Sequence, residues 1–452
     1  MGPFPGGPSP AASRADAGWL ASAYLSLTLF MLSADRLFVS VDENKIKYGY
    51  FLVLGMWLFS PARMFRTAMG TALRLPKAAL LVLLPLSVSV AQSAHVKSSI
   101  LWALWLGFDL FTVVTVYAFL TLHRFSVSRV QASAAASLAL IAAFGLLQFV
   151  SIYGFGHVVF EPQFHLNTYR INGLSGWPHF LNIFAFLLLP LVLLHERPAA
   201  WQRVVLVALV FVLVQSTAKT GWVLFVALGA LLAALDRKAF ARVFLLFLLP
   251  ATAIALLLPI PSFKNAAESV GATRNVAVLP ADPGASDATT SAAEKVAAFA
   301  SDLDIARKTT SGADRMLINR MGLDVWMKHP WFGVGPNAYD AYVFTRFDEE
   351  LPGVNKRDAN GNINAKNENI WIEFLSENGL LFTAGFAIVV AWALWVPGWR
   401  FSNALHLGAW MALLLYFCIS GQVSQNGLLT MVYAVFGIYL YGLRLPPNGA
   451  RP

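Results

Sequence analysis

The chain has 452 residues, of which 57% are hydrophobic and only 13% are charged. Soluble domains carry about 25% charged residues, so this composition excludes a soluble fold and makes the bilayer the solvent for most of the chain. The net charge of +9 is not gathered on a polar face, so nucleic acid is not an expected partner. The single cysteine, Cys418, excludes an intrachain disulfide and argues against a cysteine-ligated metal site.

Apolar runs long enough to cross a bilayer, about 17 residues or more, fill the chain on both sides of one polar stretch, Pro261 to Asn367. The sequence therefore predicts an all-α integral membrane protein with about twelve transmembrane helices and one large loop between spans 9 and 10. The predicted spans are residues 18–34, 48–62, 78–95, 100–122, 130–154, 179–195, 201–217, 220–236, 240–260, 379–397, 403–420 and 427–443.

This pattern divides the chain into five segments. We expect residues 1–17 to form a disordered tail, because the Pro- and Gly-rich start from Met1 to Pro10 lacks the basic region of a signal peptide. The first nine spans then occupy residues 18–260, the loop 261–367, the last three spans 368–443 and a second tail 444–452.

Positive charge alternates between the predicted connections, and cytoplasmic connections of membrane proteins are enriched in Lys and Arg. The even-numbered connections are basic, from Arg63 and Arg66 in the second to Arg400 in the tenth, and Arg444 follows the last span. The first connection has mixed charge, and the loop around Arg170 falls on the same side as it. This alternation places both termini in the cytoplasm and the large loop on the opposite, extracytoplasmic side.

The large loop has two parts. Residues 262–300 are rich in Ala, Ser, Asp and Pro, which predicts a flexible or weakly helical segment. Between residues 311 and 345, apolar side chains recur at a helical period and predict one amphipathic helix. That helix should end at Pro330, and the glycines that follow predict a turn from Phe332 to Pro336.

Three cations on the extracytoplasmic side lie near membrane depth, where charged groups are costly and mark functional candidates. Arg170 lies in a short loop that enters a span, Lys219 in a connection of a few residues, and Arg315 at the start of the loop helix. A helix N-terminus binds anions through free N–H groups, and a neighbouring arginine adds charge for phosphate. Each also has an ordinary explanation: Arg170 and Lys219 as interfacial anchors, and Arg315 as the partner of an acid such as Asp314.

Acids and histidines supply candidates for a general base. Glu368, Glu373 and Glu377 lie where the loop enters the tenth span, although water-facing or ion-paired acids are the more common reading of this spacing. Three histidines share that side, and packed or hydrogen-bonded histidines without a catalytic part are again the more common case. They are His165, His179 and His329.

We expect no metal and no cofactor. The chain lacks a His-Glu-x-x-His segment and a Walker A sequence. Asp302 and Asp304 lie near the flexible part of the loop, so we do not expect them to bind a metal. Because Arg and Lys bind phosphate unaided, the three cations predict a phosphorylated lipid or substrate as the ligand.

Three segments resemble the O-antigen ligase and polymerase superfamily. The segment from Arg315 to Pro336 reads Arg-x3-Asn-x9-His-Pro-Trp-Phe-Gly-Val-Gly-Pro. The segment from Glu368 to Thr383 is similar to a second signature, His-Asn/Ser-x9-Gly-x-x-Gly-Thr, at the start of a span. Residues 216–222 resemble the Ser-Arg-Gly-x-Trp segment, so the resemblance covers roughly residues 165–385.

This resemblance implies a metal-independent transferase in the bacterial inner membrane with a periplasmic loop. Family members take a glycan from undecaprenyl pyrophosphate; ligases attach it to lipid A–core, polymerases join repeat units, and related members modify proteins. Arg315 and Lys219 would then bind the pyrophosphate, with Arg170 as a third contact. His329, His179 and Asn369 would support the site.

The chain departs from the family pattern at three positions. Lys219 replaces the usual arginine, which keeps the charge but weakens bidentate contact with phosphate. Phe382 replaces the last glycine of the second signature, and Glu368 replaces the histidine that activates the acceptor in ligases. A glutamate also accepts a proton from a sugar hydroxyl, so Glu368 becomes the candidate base, and polymerase is favoured over ligase.

Two other classes of function remain open. A transporter or flippase for lipid-linked sugar also needs cations and many spans, but such proteins more often show paired halves and broken helices at the membrane midplane. A purely structural scaffold leaves the clustered cations unexplained. The membrane lipid, the lipid-linked glycan and a glycan or lipid A–core acceptor are thus the expected partners.

The charge alternation makes a topology prediction. In a Cys418→Ser background, cysteines introduced at Asp287 and Asn360 should react with a membrane-impermeant thiol reagent in intact spheroplasts, because these residues lie in the loop. A cysteine at Arg237 should stay unlabelled until the membrane is opened. Labelling at Arg237 with none at Asp287 would reverse the orientation.

Overall fold

Apolar segments in lipid fold as helices because a helix pairs its own backbone N–H and C=O groups. The computed structural model follows this rule along most of the chain. It describes residues 10–34, 36–41, 44–72, 76–160, 163–165, 168–175, 178–193, 199–216, 312–347, 369–394 and 426–444, with isolated residues between 226 and 249.

The described residues form α-helices joined by short connections and two small β-hairpins. A 3-10 turn, Met56–Phe59, follows α2, and a π turn, Val150–Gly154, extends α6. The elements before the large loop are α1 (Pro10–Ser33), β1 (Phe38–Val41), β2 (Asn44–Lys47), α2 (Tyr48–Gly55), α3 (Pro61–Ala72), α4 (Pro76–Gln92), α5 (Val96–Leu122), α6 (Val127–Phe149), β3 (Gln163–His165), β4 (Thr168–Arg170), α7 (Pro178–Leu193) and α8 (Ala200–Gln215). Those that follow are α9 (Gly312–Lys328), α10 (Tyr339–Phe347), α11 (Ile370–Leu394) and α12 (Asn426–Arg444).

The helical membrane character that the sequence predicts is confirmed. Within the described part of the chain, three helices are long and apolar enough to cross a membrane: Val96–Leu122, Val127–Gly154 and Ile370–Val389. Shorter apolar helices coincide with six other predicted spans: Gly18–Ser33, Tyr48–Phe59, Leu80–Gln92, Phe180–Leu189, Ala200–Gln215 and Thr430–Tyr441. The total of twelve stays a prediction, because the spans predicted at 220–236, 240–260 and 403–420 lie outside the continuously described residues.

Two details differ from the all-α prediction. α1 begins at Pro10 and so includes residues 10–17, which the sequence assigns to a tail. The connections predicted after spans 1 and 5 contain antiparallel hairpins, β1–β2 and β3–β4. Strand pairing satisfies the backbone of these short polar connections without requiring helix length.

α5 and α12 pack along each other and form the centre of the bundle. On one side they share an apolar cluster with α1, α2, α6, α7 and α8; on the other they share one with α4 and α11. Thr430 of α12 donates a hydrogen bond to the buried carboxyl of Asp109 in α5, so a polar contact ties the two helices within the bundle. The α5–α12 pair therefore connects the half of the bundle that contains α6–α8 with the half that contains α11.

Candidate active site

The turn that follows α9 is hydrogen-bonded through its backbone to a break in α11. Gly379, with φ 75° and ψ 180°, divides α11 into an outer part that ends at Asn378 and an inner part that begins at Leu380. We refer to residues 330–336 and 376–381 as the clamp. Its backbone bonds are Val334 N to Ser376 O (3.0 Å), Gly335 N to Glu377 O (2.8 Å), Leu380 N to Pro330 O (2.8 Å) and Leu381 N to Trp331 O (3.4 Å).

Two glycines allow the clamp to close. Gly333 has φ 66° and Gly379 has φ 75°, a region that side chains with a Cβ rarely adopt. A Cβ at Gly333 would overlap the backbone of Glu377, and a Cβ at Gly379 would overlap the backbone of Trp331. The glycine-rich turn of the sequence is therefore explained by the close approach of two backbones.

The clamp rests on the corner between α4 and α5. Ser89 donates to the carbonyl of Glu377 (3.1 Å), and Ser99 donates to the carbonyl of Pro336 (2.7 Å). The side-chain amide of Asn337 donates to Ser98 (2.6 Å). These serines lie more than 230 positions from their partners, with separations of 288, 237 and 239, so sequence spacing offers no signal for them.

Glu377 has a structural role that the sequence does not reveal. Its buried carboxylate accepts the backbone N–H of Asn337 (2.8 Å) and that of Tyr339 (3.4 Å), which begins α10. A carboxylate at a helix N-terminus satisfies free N–H groups and matches the helix dipole. Of the three acids considered as a base, Glu377 therefore positions α10 against α11. Glu373 is also buried.

His329 is positioned by α10. Its Nε2 atom lies 3.2 Å from the hydroxyl of Tyr342, and the two rings are nearly perpendicular at 89° with centroids 5.4 Å apart. His329 is exposed, so this contact fixes the ring without burying it. His329 therefore has a hydrogen-bond partner, as the non-catalytic interpretation of this residue expects.

Asn369 is the N-cap of α11. Its side-chain oxygen accepts the N–H of Trp371 (3.0 Å) and that of Ile372 (3.4 Å). Glu368, the candidate base, lies outside the described residues and directly precedes this cap. Asn369 therefore fixes the point at which the chain enters α11.

Arg315 belongs to the first turn of α9, and only its backbone is described. α9 packs against α11, and both α9 and the outer part of α11 run toward the clamp. A helix rises 1.5 Å per residue, so Arg315 lies about 20 Å from the end of α9 that adjoins the clamp. By the same rise, Asn369 lies about 14 Å from the end of the outer part of α11. The ends that bear the predicted catalytic residues are thus both on the far side from the clamp.

Arg170 is the last residue of β4 and pairs with Gln163 of β3. The segment that follows it is held by Gln148, a buried residue of α6 that sequence reasoning missed. Gln148 Oε1 accepts the N–H groups of Asn172 (2.9 Å) and Gly173 (2.8 Å). Its Nε2 donates to Asn172 Oδ1 (2.8 Å) and to the carbonyl of Phe160 (3.2 Å).

The ends of α7 and α8 meet beside this segment. Asn182 in α7 donates to Ser216, which directly follows α8, over 2.8 Å, and both side chains are buried. The side chain of His179, in the first turn of α7, and all of Lys219 lie outside what the structure describes. The hydrogen bond between Asn182 and Ser216 holds the end of α8 beside the N-terminal end of α7. The chain therefore leaves α8 toward Lys219 at that point.

The first connection also reaches this region. Arg36 N donates to the carbonyl of Leu174 over 3.0 Å, which links the connection before β1 to the segment after Arg170. At the end of β2, burial lowers the pKa of Lys47 to about 7. Lys47 is thus a basic residue of this connection whose charge changes near neutral pH.

The predicted site residues therefore form two groups. Arg315, His329 and Asn369 belong to the elements around the clamp, whereas the chain around Arg170 and the exit toward Lys219 meet at the start of α7. α5 and α6 are both long enough to cross a membrane and are joined by a short turn. The start of α5, which contacts the clamp, and the end of α6, which contains Gln148, consequently lie at the same end of the bundle.

These features define a class of protein: a helical membrane protein with polar elements at one end of its bundle. The O-antigen ligase family model matches residues 204–387, which run from α8 through α9 and α10 into the inner part of α11. This match confirms the resemblance to the O-antigen ligase and polymerase superfamily that the sequence motifs indicate. It indicates a glycan transferase-type enzyme of a bacterial membrane that acts on lipid-linked glycans. A search of the curated proteins finds no match.

The clamp makes a stability prediction. Gly333→Ala should lower the melting temperature of the purified protein and speed proteolysis of the loop, because the new Cβ meets the backbone of Glu377. Strain of this kind costs about 1–3 kcal/mol. Gly70→Ala in α3 is the matched control, since a Cβ there meets nothing within 4 Å. Equal melting temperatures for the Gly333→Ala and wild-type proteins would show that the clamp does not close in solution.

Proposed function

We propose that this protein transfers a glycan from undecaprenyl pyrophosphate to an acceptor hydroxyl at the periplasmic face of the inner membrane, and that it polymerises repeat units of a surface polysaccharide. The observation that carries the proposal is the clamp. Two separate segments that resemble the family signatures, the turn after His329 and the start of the tenth span, are joined there by backbone hydrogen bonds.

The location of the clamp suits a substrate with a lipid tail and a hydrophilic glycan. The inner part of α11 is apolar and lies within a helix able to cross a membrane. The outer part of α11 contacts α9 and α10, where the polar residues are concentrated. A lipid-linked donor would approach from the bilayer while its glycan stayed in water, so the reacting bond would lie on the polar side of the clamp, toward the starts of α9 and α11, where the sequence places Arg315 and Glu368.

The cations are assigned to the leaving group. Arg315 lies in the first turn of α9, where free N–H groups and the positive end of the helix dipole favour an anion. The chain around Arg170 and the exit toward Lys219 meet at one end of α7, at the same end of the bundle as the clamp. In this proposal the three cations bind the pyrophosphate.

The reaction then needs one base and no cofactor. Glu368 takes the proton of the acceptor hydroxyl, and the acceptor oxygen forms a bond with the anomeric carbon of the donor sugar. The bond between that carbon and the pyrophosphate oxygen breaks, and the electron pair leaves with the lipid pyrophosphate. Arg315 and Lys219 stabilise the developing negative charge, and attack opposite the leaving group inverts the anomeric centre.

A ligase that attaches the glycan to lipid A–core is the second candidate, because the matching family model is described as O-antigen ligase. The glutamate at position 368, in place of the ligase histidine, supports the polymerase. A flippase is less well supported, since the clamp concentrates polar contacts at one end of the bundle. Both proposed enzymes would have cytoplasmic termini and a periplasmic loop at residues 261–367.

The role of the cations can be tested with purified protein and a lipid-linked glycan in detergent, where a flippase forms no product. Lys219→Ala and Arg315→Ala should each lower turnover by roughly 10²–10³-fold, the usual cost of removing one group that stabilises transition-state charge. Lys219→Arg should retain activity because the charge is kept. Activity should survive EDTA, and its loss would contradict metal-free transfer; wild-type turnover in Arg315→Ala would remove that residue from the mechanism.

The base has its own test. Glu368→Gln should lower turnover by about 10²–10⁴-fold, the usual contribution of general acid–base catalysis, while binding of the donor lipid is unchanged. Glu368→His should recover part of the activity. Glu377→Gln is the control, because Glu377 caps α10 and should affect thermal stability more than the pH dependence of turnover. An active Glu368→Gln protein beside an inactive His329→Ala protein would assign the base to His329.

A further inference from the structure

α9 has two apolar faces, and among the described residues only one of them lies in a buried apolar cluster. Met321 and Val325 are buried in a cluster with Tyr339 and Val343 of α10. Leu323 and Met327, one helical turn apart on the other face, are 37% and 63% exposed. A helix that only covers a soluble loop would place polar side chains at these two positions.

Exposed apolar residues continue from the end of α9 to the start of the inner part of α11. Trp331, three residues beyond α9, is 58% exposed, and its carbonyl accepts the N–H of Leu381. Leu380 and Leu381, which begin the inner part of α11, are 39% and 41% exposed. These two leucines lie within a helix able to cross a membrane, where lipid surrounds exposed apolar side chains, and Trp331 is joined to Leu381 through its backbone.

Charged side chains flank the exposed apolar residues of α9. Arg320 and Lys328 are both exposed and lie on one side of the strip formed by Leu323 and Met327. Amphipathic helices that lie in a membrane surface combine an apolar strip with Lys or Arg at its edge, because the apolar side chains enter the acyl region and the cations contact lipid phosphates. Tryptophan is enriched at the same depth.

We infer that α9 is a surface-bound helix whose Leu323–Met327 face, together with Trp331, is embedded in the outer leaflet of the bilayer that α11 crosses. The occupant of this face is membrane lipid. Arg315 lies in the first turn of the same helix, so embedding α9 sets Arg315 at the level of lipid phosphates. This consequence rests on the proposed function, whereas the embedding itself does not.

The embedding is measured with spin labels on full-length protein in lipid nanodiscs. In a Cys418→Ser background, single cysteines at Leu323 and Met327 should be more accessible to molecular oxygen, which concentrates in hydrocarbon, than to a water-soluble nickel chelate. A label at Asp324, which lies between Arg320 and Lys328 in the charged row beside the strip, should show the opposite order. Greater nickel accessibility at Leu323 and Met327 would overturn the inference, and so would exclusion of both reagents, which would mean that protein covers this face.

An activity measurement tests the consequence for Arg315 separately. Leu323→Gln combined with Met327→Gln should raise the KM for lipid-linked donor several-fold in nanodiscs, with little change in kcat. Leu323→Ile combined with Met327→Leu is the matched control and should keep the wild-type KM, because it preserves apolar volume. An unchanged KM in the Leu323→Gln, Met327→Gln protein would show that embedding of α9 does not affect donor binding. If the wild-type protein had no transferase activity, the proposed function would be contradicted, but the spin-label result would stay valid.

Discussion

The break in α11 creates a backbone problem that the surrounding structure solves. A helix that stops at Asn378 and restarts at Leu380 leaves C=O groups at one end and N–H groups at the other without intrahelical partners. The turn after α9 supplies partners on both sides of the break: its N–H groups donate to the carbonyls of Ser376 and Glu377, and its carbonyls accept from the N–H groups of Leu380 and Leu381. Each buried backbone group left unpaired would cost about 1–3 kcal/mol, so the loop and the membrane helix stabilise each other's geometry.

Buried side chains serve the same purpose elsewhere at this end of the bundle. Gln148 pairs with three backbone groups and one amide around the segment after Arg170, and Glu377 pairs with the start of α10. In both cases an irregular connection is fixed by a polar residue that belongs to a helix. Such connections are tolerated near a membrane only where their backbone groups are satisfied within the protein. This is how helices position loops that the sequence marks as functional.

The sequence predicts the parts of this architecture that depend on local pattern. Apolar runs locate the helices, and the glycines after Pro330 locate the turn, because hydropathy and backbone freedom are properties of neighbouring residues. The contacts of Glu377, Ser99 and Gln148 could not be predicted, since each depends on where distant segments meet in the bundle. For the same reason Glu377 resembled a candidate base in the sequence, although its carboxylate caps α10. The roles of Glu368 and Lys219 stay predictions, as both lie outside the described residues.

The clamp is not optimised for stability alone. Asn378 is fully buried at the break, and neither polar atom of its amide has a hydrogen-bond partner among the described residues. An unsatisfied buried amide opposes folding by about 1–3 kcal/mol, and an apolar side chain at this position would avoid that cost. Costs of this kind are retained mainly at functional sites. Asn378 lies between the two signature segments, so this cost falls where the loop and the membrane helix are joined.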